Sequence, residues 1–493
     1  MESKQEQSRK INIAWVCRDG YLDLFPLISK ELEQDFVFNS FIVTHLKKDE
    51  TYLKKKYNFK NVEVLSQKIN TLLNDEKNFS DEELYKLSKN YNEIPMNKVL
   101  WSTLFENNIK RKKLNSLAIS HIKFWEDFLI KNEIDVLVYE RPSILSSCIA
   151  WLVCQSLGIK CIDFVDTALD TMTVVDNFNG EYSKNLLKAL ESISKNKQIE
   201  KSESFFKASK YLDRINSDPK KTIESLKQQK ITDSRAKLNF KKFLRFFELL
   251  KEHYKLKEYY LYDSSLLRKI SINILYIFRF FIHKYVFLYD RVPSTPKEKY
   301  FLYPLFMKGE YSNHVFMNPG YCDPIGEIKK IAMCLPPDHF LYVKEHYSGY
   351  PNREIKDILK IKEIDKVKFL SPKMNPFNLV KNSLGVITPG STMGFEAILM
   401  SKPVFLLGEP WYKNLPGVKR VSSVEEISKS FSKISEYVPL DEKQKLSIVQ
   451  AIFLISSEGV KLPRKETLSK KNVINLKNLL KEYLHKSLII NEI

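Results

Sequence analysis

Short apolar runs alternate with helical spacing in two stretches of the chain, and a different pattern separates them. The first stretch opens on Ile11–Cys17, a short apolar run that ends in Arg18-Asp19-Gly20. A run this short, closed by turn residues, predicts a buried strand. Phe36–Thr44 and Val62–Leu65 read the same way, and a long helical region follows over about Asn97 to Lys131. Then Ile134–Tyr139 reads as a strand, Ser143–Leu157 as a helix and Lys160–Val165 as a strand, with Gly158 placed to end the helix. Connections this short predict a parallel pair with a right-handed crossover.

From about Gly180 to Pro296 the chain is rich in Lys, Leu, Phe and Tyr at helical spacing, with almost no strand pattern. It reads as a helical insertion or bridge between two α/β halves. From Tyr300 the alternation returns. Strands are expected at Tyr300–Leu305, Phe340–Lys344, Val367–Leu370, Leu384–Thr388 and Pro403–Leu407. Helices are expected between them at about Pro324–Cys334, Arg353–Ile361, Pro376–Asn382 and Thr392–Met400. This order predicts a doubly wound parallel sheet. The tail from about Ser422 reads as helical and ends in apolar Leu488-Ile489-Ile490. The expected divisions are 1–179, 180–297, 298–435 and 436–493.

Composition narrows this picture. The 493 residues exceed the roughly 250–300 that one hydrophobic core organises, so at least two cores are expected. With 43% hydrophobic and 28% charged residues, wholesale disorder is excluded. Only 13 glycines occur, and neither G-x-G-x-x-G nor G-x-x-x-x-G-K-[ST] is present, which removes the usual dinucleotide and P-loop readings. Lys and Arg exceed Asp and Glu by 79 to 60, a formal charge of +19. Such a chain favours anionic partners: nucleic acid, phosphate esters, acidic glycans or an anionic membrane face.

Met1–Lys10 lacks the apolar stretch of a signal peptide, and no window reaches the roughly 18 apolar residues of a membrane span. The nearest, Ile270–Tyr289, is broken by Asn273, Arg279, His283 and Lys284, and reads as a buried or surface-lying amphipathic helix. The charge runs Lys227–Lys230 and Arg235–Lys242 read as solvated helix faces or as contacts to anionic lipid or polymer. Six cysteines, with no C-x-x-C pair, are expected as reduced thiols in a cytoplasmic protein, without a zinc site.

The most informative stretch is Leu384-Gly-Val-Ile-Thr-Pro-Gly-Ser-Thr-Met-Gly-Phe-Glu-Ala397. A strand runs through Pro389-Gly390 and Ser391-Thr392 into a helix. A helix N-terminus offers backbone N–H groups and a positive dipole end. Gly390 lets a ligand approach the backbone, Ser391 and Thr392 add hydroxyl donors, and together they can seat a phosphate. Glu396 could face the same crevice and accept hydrogen bonds from a ribose. The same residues also read as an ordinary helix cap with Glu396 as a capping-box acid. Phe340-Leu-Tyr-Val-Lys-Glu-His346 ends a strand in polar residues. In open α/β sheets ligands bind beyond the strands' carboxyl ends. Lys344 and His346 there could offset charge on a departing phosphate, or His346 could be structural. Glu310 ends the loop after Tyr303-Pro-Leu and could bind an acceptor hydroxyl or cap that loop. In the first half Asp19, Glu140 and Asp166 each follow a strand. Any of them could supply the carboxylate that sugar transfer needs, or serve as a turn acid.

Between about Tyr300 and Val421 the chain resembles the capsule polysaccharide biosynthesis family, whose better-known members are bacterial Kdo transferases. The resemblance is carried by Tyr303-Pro-Leu with Gly-Glu310, by Leu341-Tyr-Val-Lys-Glu-His346, by Ser391-Thr-Met-Gly-Phe-Glu-Ala397, and by Lys402-Pro-Val-Phe-Leu-Leu-Gly408 with Tyr412. It implies a two-domain, metal-independent GT-B glycosyltransferase with no resident cofactor: two Rossmann-like parallel-sheet domains facing a cleft. The donor would be a nucleotide sugar, commonly CMP-linked, carrying Kdo or another ulosonic acid. The acceptor would be a surface glycan or glycolipid held by the N-terminal domain, with Asp19 or Glu140 catalytic. His346 would correspond to a His-Pro element on the donor phosphate, Ser391-Thr392 to the paired hydroxyls there, and Glu396 would lie near the nucleotide. Lys344 and Gly390 would complete the phosphate seat. This sequence departs from the pattern in having Tyr347 after the His and Lys308-Gly-Glu310 in place of Gln-Pro-Glu. The central helical segment has no counterpart among the matching pieces. The charge then suits anionic sugar nucleotides and peripheral contact with an anionic membrane better than nucleic acid. An epimerase, a polyol-phosphate transferase and a nonenzymatic binder of anionic polymers remain as alternatives.

Overall fold

The computed structural model describes residues 10–35, 37–75, 79–91, 95–100, 111–142, 144–176, 178–195, 202–217, 278–279, 282, 288–293, 297–306, 323–346, 353–461 and 466–489. These form two compact units. One contains the chain up to Glu181 and from Ser456 onward, and the other the described residues between them. Each has its own sheet and core.

The first unit is built on β1 (Ile11–Cys17), β2 (Phe38–Thr44), β3 (Val62–Val64), β4 (Val136–Val138), β5 (Lys160–Asp166) and β6 (Thr171–Val175). Its order is β6-β5-β4-β1-β2-β3. β1 to β5 are mutually parallel. Central parallel strands are covered on both faces, so they read as continuous apolar runs. Ile13 to Cys17 accordingly have no exposure at all. The helix Leu145–Ser156 between β4 and β5 ends as expected. Gly158 takes φ 70°, its N–H donates to the Gln155 carbonyl, and the Ile159 N–H reaches back to Cys154. That is the Schellman pattern, which needs a left-handed residue best supplied by glycine.

Two features depart from the expected pattern. β6 was not anticipated, and it runs antiparallel to β5. A two-residue strand, Ser457–Glu458, then pairs antiparallel with β6, so the tail is not purely helical. Both pieces lie at one sheet edge and are too short for a legible period. The helix Lys470–Leu484 follows. Its Val473, Leu476, Leu480 and Leu484 join Trp15, Phe25 and Phe164 in the first core.

The second unit holds β7 (Lys299–Pro304), β8 (His339–Lys344), β9 (Val367–Leu370), β10 (Gly385–Thr388), β11 (Val404–Leu406) and β12 (Val418–Arg420). All are parallel, in the order β12-β11-β10-β7-β8-β9. Counted from β7, this is the Rossmann order, which turns back between its first and fourth strands. The helices at Pro324–Met333 and Pro376–Asn382 start where an Asx residue precedes proline: Asp323 and Asn375 accept from first-turn N–H groups. The two sheets confirm a doubly wound α/β architecture that is parallel apart from the β6 edge. Among the described residues no helix is long and apolar enough to cross a membrane. Cys17, Cys148, Cys154, Cys161 and Cys334 are buried free thiols. Glu310, Tyr347, Cys322 and both charge runs of the central segment lie outside the described residues.

The segment after Ser457–Glu458 is fastened by a buried ion pair. Lys461 Nζ lies 3.2 Å from Asp163 Oδ2 and 3.3 Å from Oδ1, with both residues nearly inaccessible. Removing one partner strands the other charge, so Lys461→Met should cost about 3–5 kcal/mol in urea denaturation. Adding Asp163→Leu should recover most of that loss. A double variant no more stable than the single one would contradict this account.

Candidate functional site

Where the order of a doubly wound sheet turns back, the loops on either side diverge and leave a crevice at the carboxyl ends. In the second unit that point lies between β7 and β10, and the loop leaving β10 is Pro389-Gly390-Ser391. Thr388, fully buried, shapes it: its Oγ1 accepts from the N–H groups of Gly390 at 3.2 Å and Ser391 at 3.0 Å. Ser391 is the N-cap of the helix Thr392–Leu399 and accepts from the Met393 N–H at 3.3 Å. A capping hydroxyl uses a lone pair and keeps its O–H proton for a ligand. Thr392, at the first helical position, is exposed. The third helical position is Gly394, so Glu396 does not form a capping box.

Gly394 is held by close approach. A Cβ there would meet the Tyr412 hydroxyl and lie 3.1 Å from Thr388 Cγ2. Tyr412 in turn donates to the Ser391 carbonyl at 2.6 Å. Neighbouring Trp411 is set between Tyr182 and Phe395, with ring centroids 4.8 Å from each. Thr388 and Tyr412 thus hold the loop from two sides.

One strand beyond β7, Lys344 ends β8. Its Nζ donates to the carbonyls of Pro372 at 3.1 Å and Glu345 at 3.3 Å. Burial pulls its pKa down to about 8, while Glu345 and Glu396 pull it back up. Glu396, buried on the Ser391 helix, also raises the Tyr412 pKa, after burial itself. Lys344, Glu396 and Tyr412 are therefore electrostatic neighbours. His346 is half-buried, and burial lowers its pKa; Lys344 and Arg353 push the same way against Glu345.

The structure thus brings Lys344, Glu396, Gly390, Ser391 and Thr392 to the carboxyl edge at or beside one switch point, with His346 two residues past Lys344. Glu345 and Tyr412 stood in the matching motifs without a role of their own, and Thr388 and Arg353 were not singled out. Thr388 reads as the last strand residue, Glu345 hides between two more familiar chemical residues, and Arg353 stands eight positions away from its partner.

In the first unit the switch point lies between β1 and β4. Arg18, just past β1, donates to Asp19 at 2.6 Å and pairs with Glu140, just past β4. Arg18 and Glu140 are 13% and 12% exposed, whereas Asp19 is 79% exposed and takes φ 44°. Two of the three expected acids therefore share one guanidinium. The third, Asp166, is exposed at the end of β5 and acts instead on the charges of Tyr21 and Lys461. His45, also not anticipated, follows β2 with Nε2 2.9 Å from the Tyr139 hydroxyl. Burial holds its pKa well below the usual range, and Arg18 and His121 add to that.

Two Rossmann-order sheets, one with a hydroxyl-rich loop at its switch point and a buried amine one strand away, define a doubly wound α/β protein. Residues 193–434 match the family model described as capsule polysaccharide biosynthesis protein. The match starts well before Tyr300 and takes in most of the central segment that had no counterpart among the motifs. No curated protein matches the chain. Among solved structures, the chain is similar to a β-Kdo 2,7 transferase, KpsC of Thermosulfurimonas dismutans, at 12% identity and TM-score 0.36, covering 73% of this chain and 89% of that one. It is similar to the MnaA–UDP co-structure of S. aureus at 11% identity and TM-score 0.29, covering 96% and 97%. It is also similar to the UDP-GlcNAc 2-epimerase of Neisseria meningitidis bound to UDP-GlcNAc, at 14% identity and TM-score 0.28, covering 97% and 100%. TM-scores this low carry no argument about activity.

Gly394→Ala should be destabilising by about 1–3 kcal/mol, the usual cost of overpacking. Thermal and urea denaturation measure this, and an unchanged midpoint would contradict the close packing of Gly394 on Tyr412.

Proposed function

We propose that the chain is a glycosyltransferase that moves a sugar, Kdo or another ulosonic acid, from a CMP-linked donor to a growing surface polysaccharide. The observation that carries this is the Ser391 loop at the switch point of the second unit, with the Lys344 amine one strand away. It is supported by the family match over residues 193–434. A phosphate seated at this helix N-terminus meets the Ser391 and Thr392 hydroxyls and the dipole end of the helix. The Lys344 ammonium and His346 offset the charge that grows on the phosphate oxygen as its bond to the sugar breaks. Glu396 accepts from the ribose. In the first unit Glu140 or Asp19 takes the proton of the acceptor hydroxyl as that oxygen bonds to the sugar carbon, or acts on the sugar itself. The proposal assigns no resident cofactor, because cations and hydroxyls of the chain meet the phosphate charge. The excess of Lys and Arg suits peripheral contact with an anionic membrane face, where a glycolipid acceptor is displayed.

The test is titration of the purified protein with CMP and UDP, followed by incubation with a panel of nucleotide sugars and glycan acceptors. Ser391→Ala combined with His346→Ala should leave the fold intact and lower turnover by about 10²-fold or more. Failure of the wild type to bind either nucleotide and to consume any nucleotide sugar would sink the proposal. Release of an isomerised donor sugar without transfer would point to an epimerase instead.

Lys344 adds a pH signature. It keeps its proton below a pKa of about 8, so nucleotide affinity should hold below that value and decline as pH rises through it. Lys344→Arg, charged throughout, should flatten the profile. An inflection that survives in Lys344→Arg would assign it to another group.

A further inference from the structure

Glu345 stands between Lys344, the last residue of β8, and His346 yet reaches the opposite way. Alternation along the strand sets Lys344 on the face of Tyr342, which stacks on Tyr300, and Glu345 on the face of Val343, which belongs to the second core. There its carboxylate meets Arg353. The Arg353 Nε donates to Oε2 and its Nη2 donates to Oε1 at 3.0 Å, a fork on a fork. The side chains are 0% and 3% exposed.

The pair does more than neutralise itself. Arg353 Nη2 also donates to the Phe306 carbonyl at 3.1 Å, two residues past the end of β7. Glu345 Oε1 accepts from the His346 N–H at 2.7 Å. The Glu345 N–H donates to Leu370 at the end of β9 at 3.1 Å, and the Leu305 N–H donates to the Lys344 carbonyl at 2.9 Å. The ion pair therefore ties the chain just past β7 to the chain just past β8, beside main-chain bonds that join β8 to β7 and β9. It also sets the direction in which the chain leaves β8.

Stability alone does not call for charge at this place. A buried ion pair is often no more stabilising than apolar side chains of similar volume, because desolvation cancels its attraction. What it adds is directional, fully satisfied hydrogen bonding, which fixes geometry that apolar contacts leave loose. We infer that Glu345 and Arg353 are positioning residues that hold Lys344 and His346 in register for the phosphate of a nucleotide-activated donor. The inference rests on the donor reading of the Ser391 site.

The test compares wild type with Glu345→Met/Arg353→Met and with Arg353→Lys, measuring urea stability, CMP and UDP affinity, and the donor KM and kcat. The double variant should fold with near wild-type stability but bind nucleotide about tenfold to a hundredfold more weakly, the scale of loss that slight misplacement of binding groups produces. Its donor KM should rise by more than its kcat falls. Arg353→Lys keeps the charge but loses the fork and should fall between the two. A folded double variant with wild-type nucleotide affinity overturns the inference alone. If the double variant does not fold, wild-type affinity in Arg353→Lys overturns it instead. Absence of nucleotide binding in the wild type itself overturns the donor reading, and the inference with it.

Discussion

Both sheets bury their central strands on both faces, and that constraint decides where chemistry can occur. A polar side chain within such a strand has no water to meet, so the runs through Ile13–Cys17, Phe301–Tyr303 and Val386–Ile387 are apolar and inaccessible. Polar residues gather just past the last hydrogen-bonded pair of each strand. Arg18 and Glu140 follow β1 and β4, while Lys344 and Ser391 close or follow β8 and β10. The turn-back in strand order then selects which of these ends border open space.

The two switch points are furnished differently. In the first unit a single guanidinium carries two carboxylates, which leaves one negative charge in excess. In the second, the Ser391 hydroxyl caps a helix after β10 and the Lys344 amine is buried at the end of β8. The buried amine is tolerated because two carbonyls accept from it and two acids act on its charge. The supporting groups are specific in their turn. Thr388 and Tyr412 shape the Pro389–Ser391 loop, and Glu345 with Arg353 links the chain past β8 to the Phe306 carbonyl past β7.

Most of the architecture was legible because parallel strands write themselves as apolar runs and their helices begin with caps. Gly158, Asp323-Pro324 and Asn375-Pro376 marked helix ends that the structure reproduces. β6 and Ser457–Glu458 were not legible, since an edge ladder of a few residues has neither length nor period. The residues of the Ser391 loop were visible because glycine and hydroxyls after a strand are unusual. Their partners were not. Arg353 finds Glu345 only through the return of the chain to β8, and Lys461 finds Asp163 across nearly three hundred residues, a separation of 298. Pairings of that kind depend on tertiary closure and leave no local trace.

The return of the chain has a further consequence for how the protein is made. Val473, Leu476, Leu480 and Leu484 complete the core that Trp15 and Phe25 begin, and Lys461 neutralises Asp163. During synthesis the first unit therefore waits, with an open apolar face and an unmatched buried acid, until the second unit has left the ribosome. A nascent chain of this protein therefore passes through a stage in which the first core is exposed, the kind of apolar surface that chaperones cover.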